Sequence, residues 1–99
     1  MATEGEPWKL EKFSERLDSW IALCSPSSEL RRIVRTWVLT RYDDPYQGME
    51  QQSGFPNLWF GRVPNSGDGR GNAVACSYRI EESTRTVICN DFTTLSEPF

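Results

Sequence analysis

Apolar residues in the first part of the chain recur three and four positions apart, which is the spacing of one stripe on an α-helix. The stripe consists of Leu10, Phe13, Leu17, Trp20, Ile21 and Cys24. Proline is tolerated in the first turn of a helix, so Pro7 suits the start of this one. The pattern predicts a helix over residues 7–24.

A second stretch with the same periodicity follows almost at once. Ser25 and Pro26 suit the N-cap and the first position of a helix. The apolar positions are Leu30, Ile33, Val34, Trp37 and Val38. They predict a helix over residues 26–41. Because the link is short, we expect a helical hairpin over 7–41 with facing apolar stripes.

Four arginines of the second helix lie off its apolar stripe: Arg31, Arg32, Arg35 and Arg41. A charged helix face of this kind is usually solvated. It can also face an anion or a partner protein, and the sequence leaves both interpretations open.

The second half of the chain has the patterns of β-strands. Leu58–Val63 is rich in aromatic and apolar residues and lies between two prolines, which predicts a short strand after a loop over 43–56. Residues 73–80 and 85–92 flank a polar turn and predict a hairpin. With the turn centred between Glu82 and Ser83, the expected pairs are Ile80–Arg85, Tyr78–Val87, Cys76–Cys89 and Val74–Asp91.

Strand alternation then separates the hairpin into two faces. An apolar face that should pack on the helices holds Val74, Cys76, Tyr78, Ile80, Val87 and Cys89. The opposite, half-polar face holds Ala75, Ser77, Arg79, Thr86, Ile88 and Asn90, and we expect a functional surface there. Trp59 and Phe60 point to opposite faces of their strand, so one of them should project away from the core unless something covers it.

These patterns predict the α+β class: an N-terminal helical hairpin packed on a small antiparallel β-sheet. The 99 residues suit a single domain over 1–99. Within it we expect a flexible N-terminus over 1–6, the sheet over 58–92 and a tail over 93–99.

Charge and composition exclude several classes of function. The formal net charge of −3 argues against nucleic acid as a main partner, since phosphate binding favours basic domains. The acidic N-terminus lacks the apolar run of a signal peptide, and no stretch is long enough for a membrane span, so we expect a cytoplasmic protein. Three cysteines without histidine do not make a structural zinc site, and we expect neither metal nor cofactor.

Two of these cysteines, Cys76 and Cys89, would lie directly opposite each other in the expected register. That separation permits a cross-strand disulfide. In a reducing compartment the pair would instead be two small buried hydrophobic residues, with redox sensing as the alternative.

Three segments carry a resemblance to a known superfamily. They are Leu58–Val63, with its Arg-Val ending, Cys76–Glu81, with its Tyr-Arg-aliphatic-acid run, and Thr86–Phe92, with its final Phe. They resemble the strands of the RelE/ParE-like toxins. The resemblance implies that fold, an antitoxin-like partner chain that covers the toxin, and either messenger-RNA cleavage on the ribosome or binding of a target protein such as gyrase.

The chain departs from the nuclease members of that superfamily at important positions. Ala75 stands where they typically carry an Arg, and Phe92 is followed by Thr93, Thr94 and Leu95 instead of a basic pair. RNA cleavage through the 2′-hydroxyl needs a proton acceptor, a proton donor and positive charge. Arg62 and Arg79 could supply the positive charge, which makes them weak catalytic candidates. Alternatively, they could form ordinary surface ion pairs.

The sequence therefore favours a small intracellular toxin-like or accessory protein that acts by protein–protein binding and without catalysis. The suspected partner is an antitoxin-like or target protein. A ribosome-dependent messenger-RNA endoribonuclease of a toxin–antitoxin pair is the alternative. The expected binding surface consists of Arg62, Arg79, Ser77, Asn90, Trp59 and Phe60.

Overall fold

The structure is a computed structural model that describes residues 6–67 and 69–96. Two helices pack on one face of a single β-sheet, which confirms the predicted α+β class. In chain order the elements are β1 (Lys9–Glu11), α1 (Phe13–Cys24), α2 (Ser28–Thr40), β2 (Glu50–Gln51), β3 (Leu58–Arg62), β4 (Asn72–Glu81) and β5 (Thr86–Ser96). In the described part of the chain, no helix has the length and apolar character needed to cross a membrane.

The sheet is larger than the sequence predicted. It has five strands in the order β1-β5-β4-β3-β2, and β1 runs parallel to β5 while the other neighbours are antiparallel. The strands within residues 58–92 pair antiparallel as expected, but the prediction was incomplete. It missed both short edge strands, because two or three residues carry too little periodicity to be recognised.

The first helix begins at Phe13 and not at Pro7. Trp8 and Leu10 are two positions apart, which is the period of a strand, and Leu10 lies opposite Val87 of β5. Lys12 then adopts a left-handed conformation with φ of 70°, which separates β1 from α1. Leu10 is three positions before Phe13, so its spacing alone cannot be distinguished from that of the first turn of a helix.

The link between the helices also differs in detail from the prediction. Ser25 ends α1 with φ of 46°, and its backbone N–H donates to the Ile21 carbonyl. Ser27, and not Ser25, is the N-cap of α2, because its Oγ accepts from the Leu30 N–H at 3.1 Å. The apolar stripes of both helices are turned onto the sheet instead of facing each other.

Aromatic rings make much of the contact between helices and sheet. Phe13 of α1 lies 6.3 Å from Phe92, and Trp37 of α2 lies 6.5 Å from Tyr78, both measured between ring centroids. Three of the four tryptophans, Trp8, Trp20 and Trp37, are buried in the core. The core therefore sits between the helices and one face of β3, β4 and β5.

The hairpin of β4 and β5 pairs two residues away from the expected register. Ile80 lies opposite Val87 and Tyr78 opposite Cys89, so the pairs predicted from a two-residue turn are wrong. The turn is longer, because Glu82–Thr84 form a 3₁₀ turn and Arg85 takes a left-handed conformation with φ of 49°. A shift of two preserves the face of each side chain, which is why the predicted apolar face is still buried.

A β-bulge at Asn90 changes the second half of that hairpin. Tyr78 pairs with Cys89 but Ser77 pairs with Asp91, so Asn90 is an additional residue in β5. As a result Phe92 turns toward the core, where it is only 4% exposed. Cys76 lies opposite Phe92 and not opposite Cys89, and the three cysteines are free thiols.

β5 continues to Ser96, so residues 93–96 are part of the sheet and not the predicted tail. The last three residues of that predicted tail lie outside the described residues. The same holds for residues 1–5 of the predicted flexible N-terminus.

Arg41 is neither on a solvated face nor in a partner-facing patch, because it is only 2% exposed. Its guanidinium lies 4.5 Å from the centre of the Trp37 ring and donates to the Gln47 carbonyl at 2.8 Å and to the Tyr78 hydroxyl at 3.1 Å. It also donates to Thr40 Oγ1. Arg41 thus ties the segment after α2 to the centre of the sheet.

Candidate functional site

The strands present one face that no described element covers, which we call the open face. The pairing register arranges its central side chains in three rows across β3, β4 and β5. The rows are Leu58–Arg79–Ile88, Phe60–Ser77–Asp91 and Arg62–Ala75–Thr93. This is the face on which the sequence placed a functional surface.

Five of the six predicted surface residues lie on the open face. Phe60 is opposite Ser77, and Asn90 Nδ2 donates to Ser77 Oγ at 3.2 Å, so these three form one contiguous patch. Arg62 and Arg79 lie at its two ends. Because of the bulge, Asn90 and Asp91 both lie on this face. The predicted pairing of the hairpin is wrong, but the predicted face of Asn90 is the one observed.

Trp59 is the exception, because it lies on the core face opposite Tyr78. It is half-buried, and its ring meets the Tyr46 ring edge-on at 5.1 Å. The Trp8 ring also meets the Tyr46 ring edge-on, at 5.9 Å between centroids. Phe60 is therefore the member of the aromatic pair that projects away from the core.

The two candidate arginines are well separated along the sheet. Arg62 pairs with Ala75, which is four residues from Arg79 on β4, so their Cα atoms are about 14 Å apart. Both side chains are exposed. A single phosphate group could be held by both only if each side chain reached inward over the patch that Phe60 and Ser77 form.

The open face carries charges of both signs. Among the described residues its basic side chains are Lys9, Arg62 and Arg79. Its acidic side chains are Glu11, Glu50, Glu81 and Asp91. The acidic groups outnumber the basic ones by one, whereas a surface for a nucleic-acid backbone is normally basic.

The ionisable groups with shifted pKa values lie away from the open face. Burial raises the pKa of the Tyr78 hydroxyl from 10.0 to about 12, although the Arg41 guanidinium acts in the opposite direction. Burial also raises the pKa of the Cys76 thiol, and the neighbouring Cys89 adds to the effect. Both residues are in the core.

Tyr46 has a raised pKa because of its partial burial and because its hydroxyl donates to the Glu82 carboxylate. Glu82 belongs to the 3₁₀ turn, so this bond joins the segment after α2 to the tip of the β4–β5 hairpin. Beside it, the Arg85 guanidinium lies 4.5 Å from the centre of the Trp8 ring. Sequence reasoning missed these contacts, because partners 36 residues apart leave no local pattern.

The described surface also has a groove between the two helices, on the side of the molecule away from the open face. We call it the interhelix groove, and its volume is about 520 Å³. Its apolar lining residues are Leu10, Phe13, Leu17, Val38, Leu39 and Tyr42. In the ranges 6–67 and 69–96, no group of three or more His, Cys, Asp or Glu side chains is placed to hold a metal ion.

Comparisons with known proteins identify the fold. No protein-family model matches the chain, and no curated protein matches it. Among solved structures, a mutant of the E. coli toxin RelE in the free state is similar to it, with a TM-score of 0.59 and 12% sequence identity. The likeness covers 87% of this chain and 81% of that one. The chain has a RelE-like fold, which confirms the fold expected from the short motifs.

Proposed function

We propose that this protein acts by binding a partner protein through the open face, as a toxin-like or accessory protein without catalytic activity. The mixed charge of the open face is the observation that carries this proposal. A face with more carboxylates than cations repels a phosphate backbone, whereas a protein partner can match both signs.

The apolar residues of the open face support a protein partner as well. Leu58, Phe60 and Ile88 are half-buried among charged and polar neighbours. Interfaces of non-obligate complexes have this composition, with apolar and aromatic side chains inside a polar rim. Phe60 at the centre of the three rows is the residue that we expect to contribute most to binding.

The same face offers little for RNA cleavage. The chain has no histidine, and its tyrosines with raised pKa values, Tyr46 and Tyr78, are not on the open face. A raised pKa leaves less of a tyrosine deprotonated at neutral pH, so fewer molecules could use it as a general base. Charge from Arg62 and Arg79 could stabilise a transition state, but proton transfer would still need other groups.

A ribosome-dependent endoribonuclease is the second candidate, and two observations favour it. The fold is RelE-like, and Arg62 and Arg79 are both exposed on the open face. A test must therefore distinguish a protein partner from an RNA substrate.

A photo-crosslinking amino acid at position 60 tests which partner meets the open face. The matched control carries it at Leu23, which is 85% exposed on α1. In cells of the native host we expect crosslinks to a protein from position 60 and not from position 23. Crosslinks from position 60 to RNA would favour the nuclease, and identical products from both positions would contradict the proposal.

Cleavage is tested directly with purified protein and translating ribosomes, by mapping the 5′ ends of the messenger RNA. We expect no new ends. Cleavage that Arg62→Ala or Arg79→Ala abolishes would overturn the non-catalytic proposal. Arg16→Ala on α1, which is exposed outside the open face, is the control.

A further inference from the structure

Charged and apolar side chains alternate across the five strands of the open face. From one edge of the sheet to the other, they are Glu50 on β2, Leu58 and Phe60 on β3, Arg79 on β4, Ile88 on β5 and Glu11 on β1. The order is thus acidic, apolar, basic, apolar and acidic. Because neighbouring strands are about 4.8 Å apart, the Cα atoms of Glu50 and Glu11 are about 20 Å apart, and Arg79 lies about midway between them.

The three charged side chains of this line have no ionic partner in the described part of the chain. Glu11, Glu50 and Arg79 are exposed, and none of them forms an ion pair with a described residue. The apolar residues between them are half-buried. A second protein can match such charges and cover the apolar side chains at the same time.

The other charged side chains described on the open face do not change this pattern. They are two acidic and two basic residues: Glu81, Asp91, Lys9 and Arg62. Their charges balance in number, so the line of Glu50, Arg79 and Glu11 accounts for the excess of one negative charge.

The geometry of the sheet favours a helix as the partner element. Backbone N–H and C=O groups of the central strands lie in the plane of the sheet and pair with the neighbouring strands, so the open face offers side chains only. An extended segment lying across the strands would leave its own backbone groups without partners. A helix forms its backbone hydrogen bonds internally and can therefore lie on such a face.

On the basis of the proposed function, we infer that the open face binds a partner helix with Lys or Arg at positions i and i+14 and Asp or Glu at position i+7. Residues seven apart lie on the same side of a helix and about 10.5 Å apart. This matches the distance of about 10–12 Å from Arg79 to each edge carboxylate. Apolar residues at i+3, i+4, i+10 and i+11 then lie against Phe60 and Leu58 on one side of Arg79 and against Ile88 on the other.

The probe is a synthetic helical peptide of about 18 residues with lysine, glutamate and leucine at these positions. One matched control exchanges lysine and glutamate at the three charged positions, and a second has serine in place of the four leucines. Fluorescence anisotropy measures the Kd of each peptide for the full-length protein. We expect the first peptide to bind about tenfold more tightly than either control, and its advantage over the charge-exchanged peptide should decrease as the salt concentration rises.

Three variants locate the binding on the open face. Arg79→Glu should weaken binding of the first peptide about tenfold, and a lysine at position i+7 of the peptide should restore it. Glu50→Lys should weaken binding about fivefold, whereas Glu29→Lys, at an exposed position of α2, should leave it unchanged. Far-ultraviolet circular dichroism shows whether each variant is folded.

Three outcomes would overturn the inference: equal affinity for the three peptides, no binding of the first peptide, or no restoration of binding to Arg79→Glu by the lysine at i+7. Crosslinking from position 60 separates these outcomes from a failure of the proposed function. A protein crosslink together with any of the three would leave the proposed function standing, whereas crosslinks to RNA alone would overturn both.

Discussion

The two faces of β4 come from alternate residues of one strand and differ in what they do. Val74, Cys76, Tyr78 and Ile80 point into the core and are almost completely buried. On the open face, Ser77 is half-buried and Arg79 is exposed. The comparison shows that one strand can hold the fold together on one side while the side chains on its other side stay outside the core cluster.

The contrast has a direct energetic consequence. Changes on the core face should lower the free energy of unfolding, because they create cavities, steric overlap or unpaired polar groups. Changes on the open face should affect binding and leave stability almost unchanged.

Phe92→Ala should have the largest effect, because the ring is only 4% exposed in the core and lies 6.3 Å from the Phe13 ring. We expect a loss of about 3–5 kcal/mol in urea unfolding. Deletion of Asn90 is the comparison, since it removes the additional residue of the bulge and leaves Phe92 opposite Cys76 on the core face. We expect the deletion to cost less than Phe92→Ala, and a larger cost would show that the bulge itself is needed for the pairing of β4 with β5.

Gly61→Ala should cause the next largest loss of stability. A Cβ at Gly61 would lie 2.7 Å from the Gly48 carbonyl oxygen and would also meet Met49 Sδ. The Met49 side chain can move, but the backbone oxygen cannot move without displacing β2 and the turn before it. We expect a loss of about 1–3 kcal/mol. A variant as stable as the parent would show that β2 and the preceding turn can yield to the added methyl group.

Tyr78→Phe should cost about 1–3 kcal/mol at neutral pH, because Arg41 and the Pro45 carbonyl each lose a buried hydrogen-bond partner. The parent should also lose stability between pH 10 and pH 12. In that range the unfolded tyrosine releases its proton while Tyr78, with a pKa of about 12, retains it when folded. This contribution is complete below pH 10.

Chemical denaturation at several pH values separates the two effects of Tyr78. The stability of the parent should fall more steeply than that of Tyr78→Phe above pH 10, by up to about 2–3 kcal/mol at pH 12. Parallel curves for the two proteins would mean that Tyr78 titrates in the folded protein as it does in the unfolded chain.

Arg79→Glu should have the smallest effect on stability, within about 0.5 kcal/mol, because the side chain is exposed on the open face. Its effect on binding should be large, since it reverses a charge in the same patch as Phe60. We expect crosslinking from position 60 to decrease severalfold. Arg16→Glu on α1 is the control for net charge, and a similar decrease in that variant would argue against the open face.

Much of the fold could be predicted because local periodicity reflects burial. The stripe from Leu30 to Val38 identified α2, and alternation in β4 identified which side chains face the core. The open face and five residues of its surface followed from the same alternation. The role of these residues in binding stays a prediction.

The remaining features depend on residues far apart in the chain. β1 is a strand because β5 lies beside it, and only that pairing distinguishes Leu10 from the first turn of a helix. Arg41 is buried because Tyr78, Gln47 and Trp37 surround it in the folded protein. No spacing within residues 26–41 distinguishes it from the exposed arginines of α2.

Local spacing of apolar residues is enough to predict two helices, a β-hairpin and the apolar side of each, because these properties depend on neighbours within one or two turns. The register of β4 and β5, the bulge at Asn90 and the parallel edge strand β1 are defined only in the folded protein. Each of these depends on which distant backbone groups form hydrogen bonds with each other, and only packing of the helices on the completed sheet selects among the alternatives.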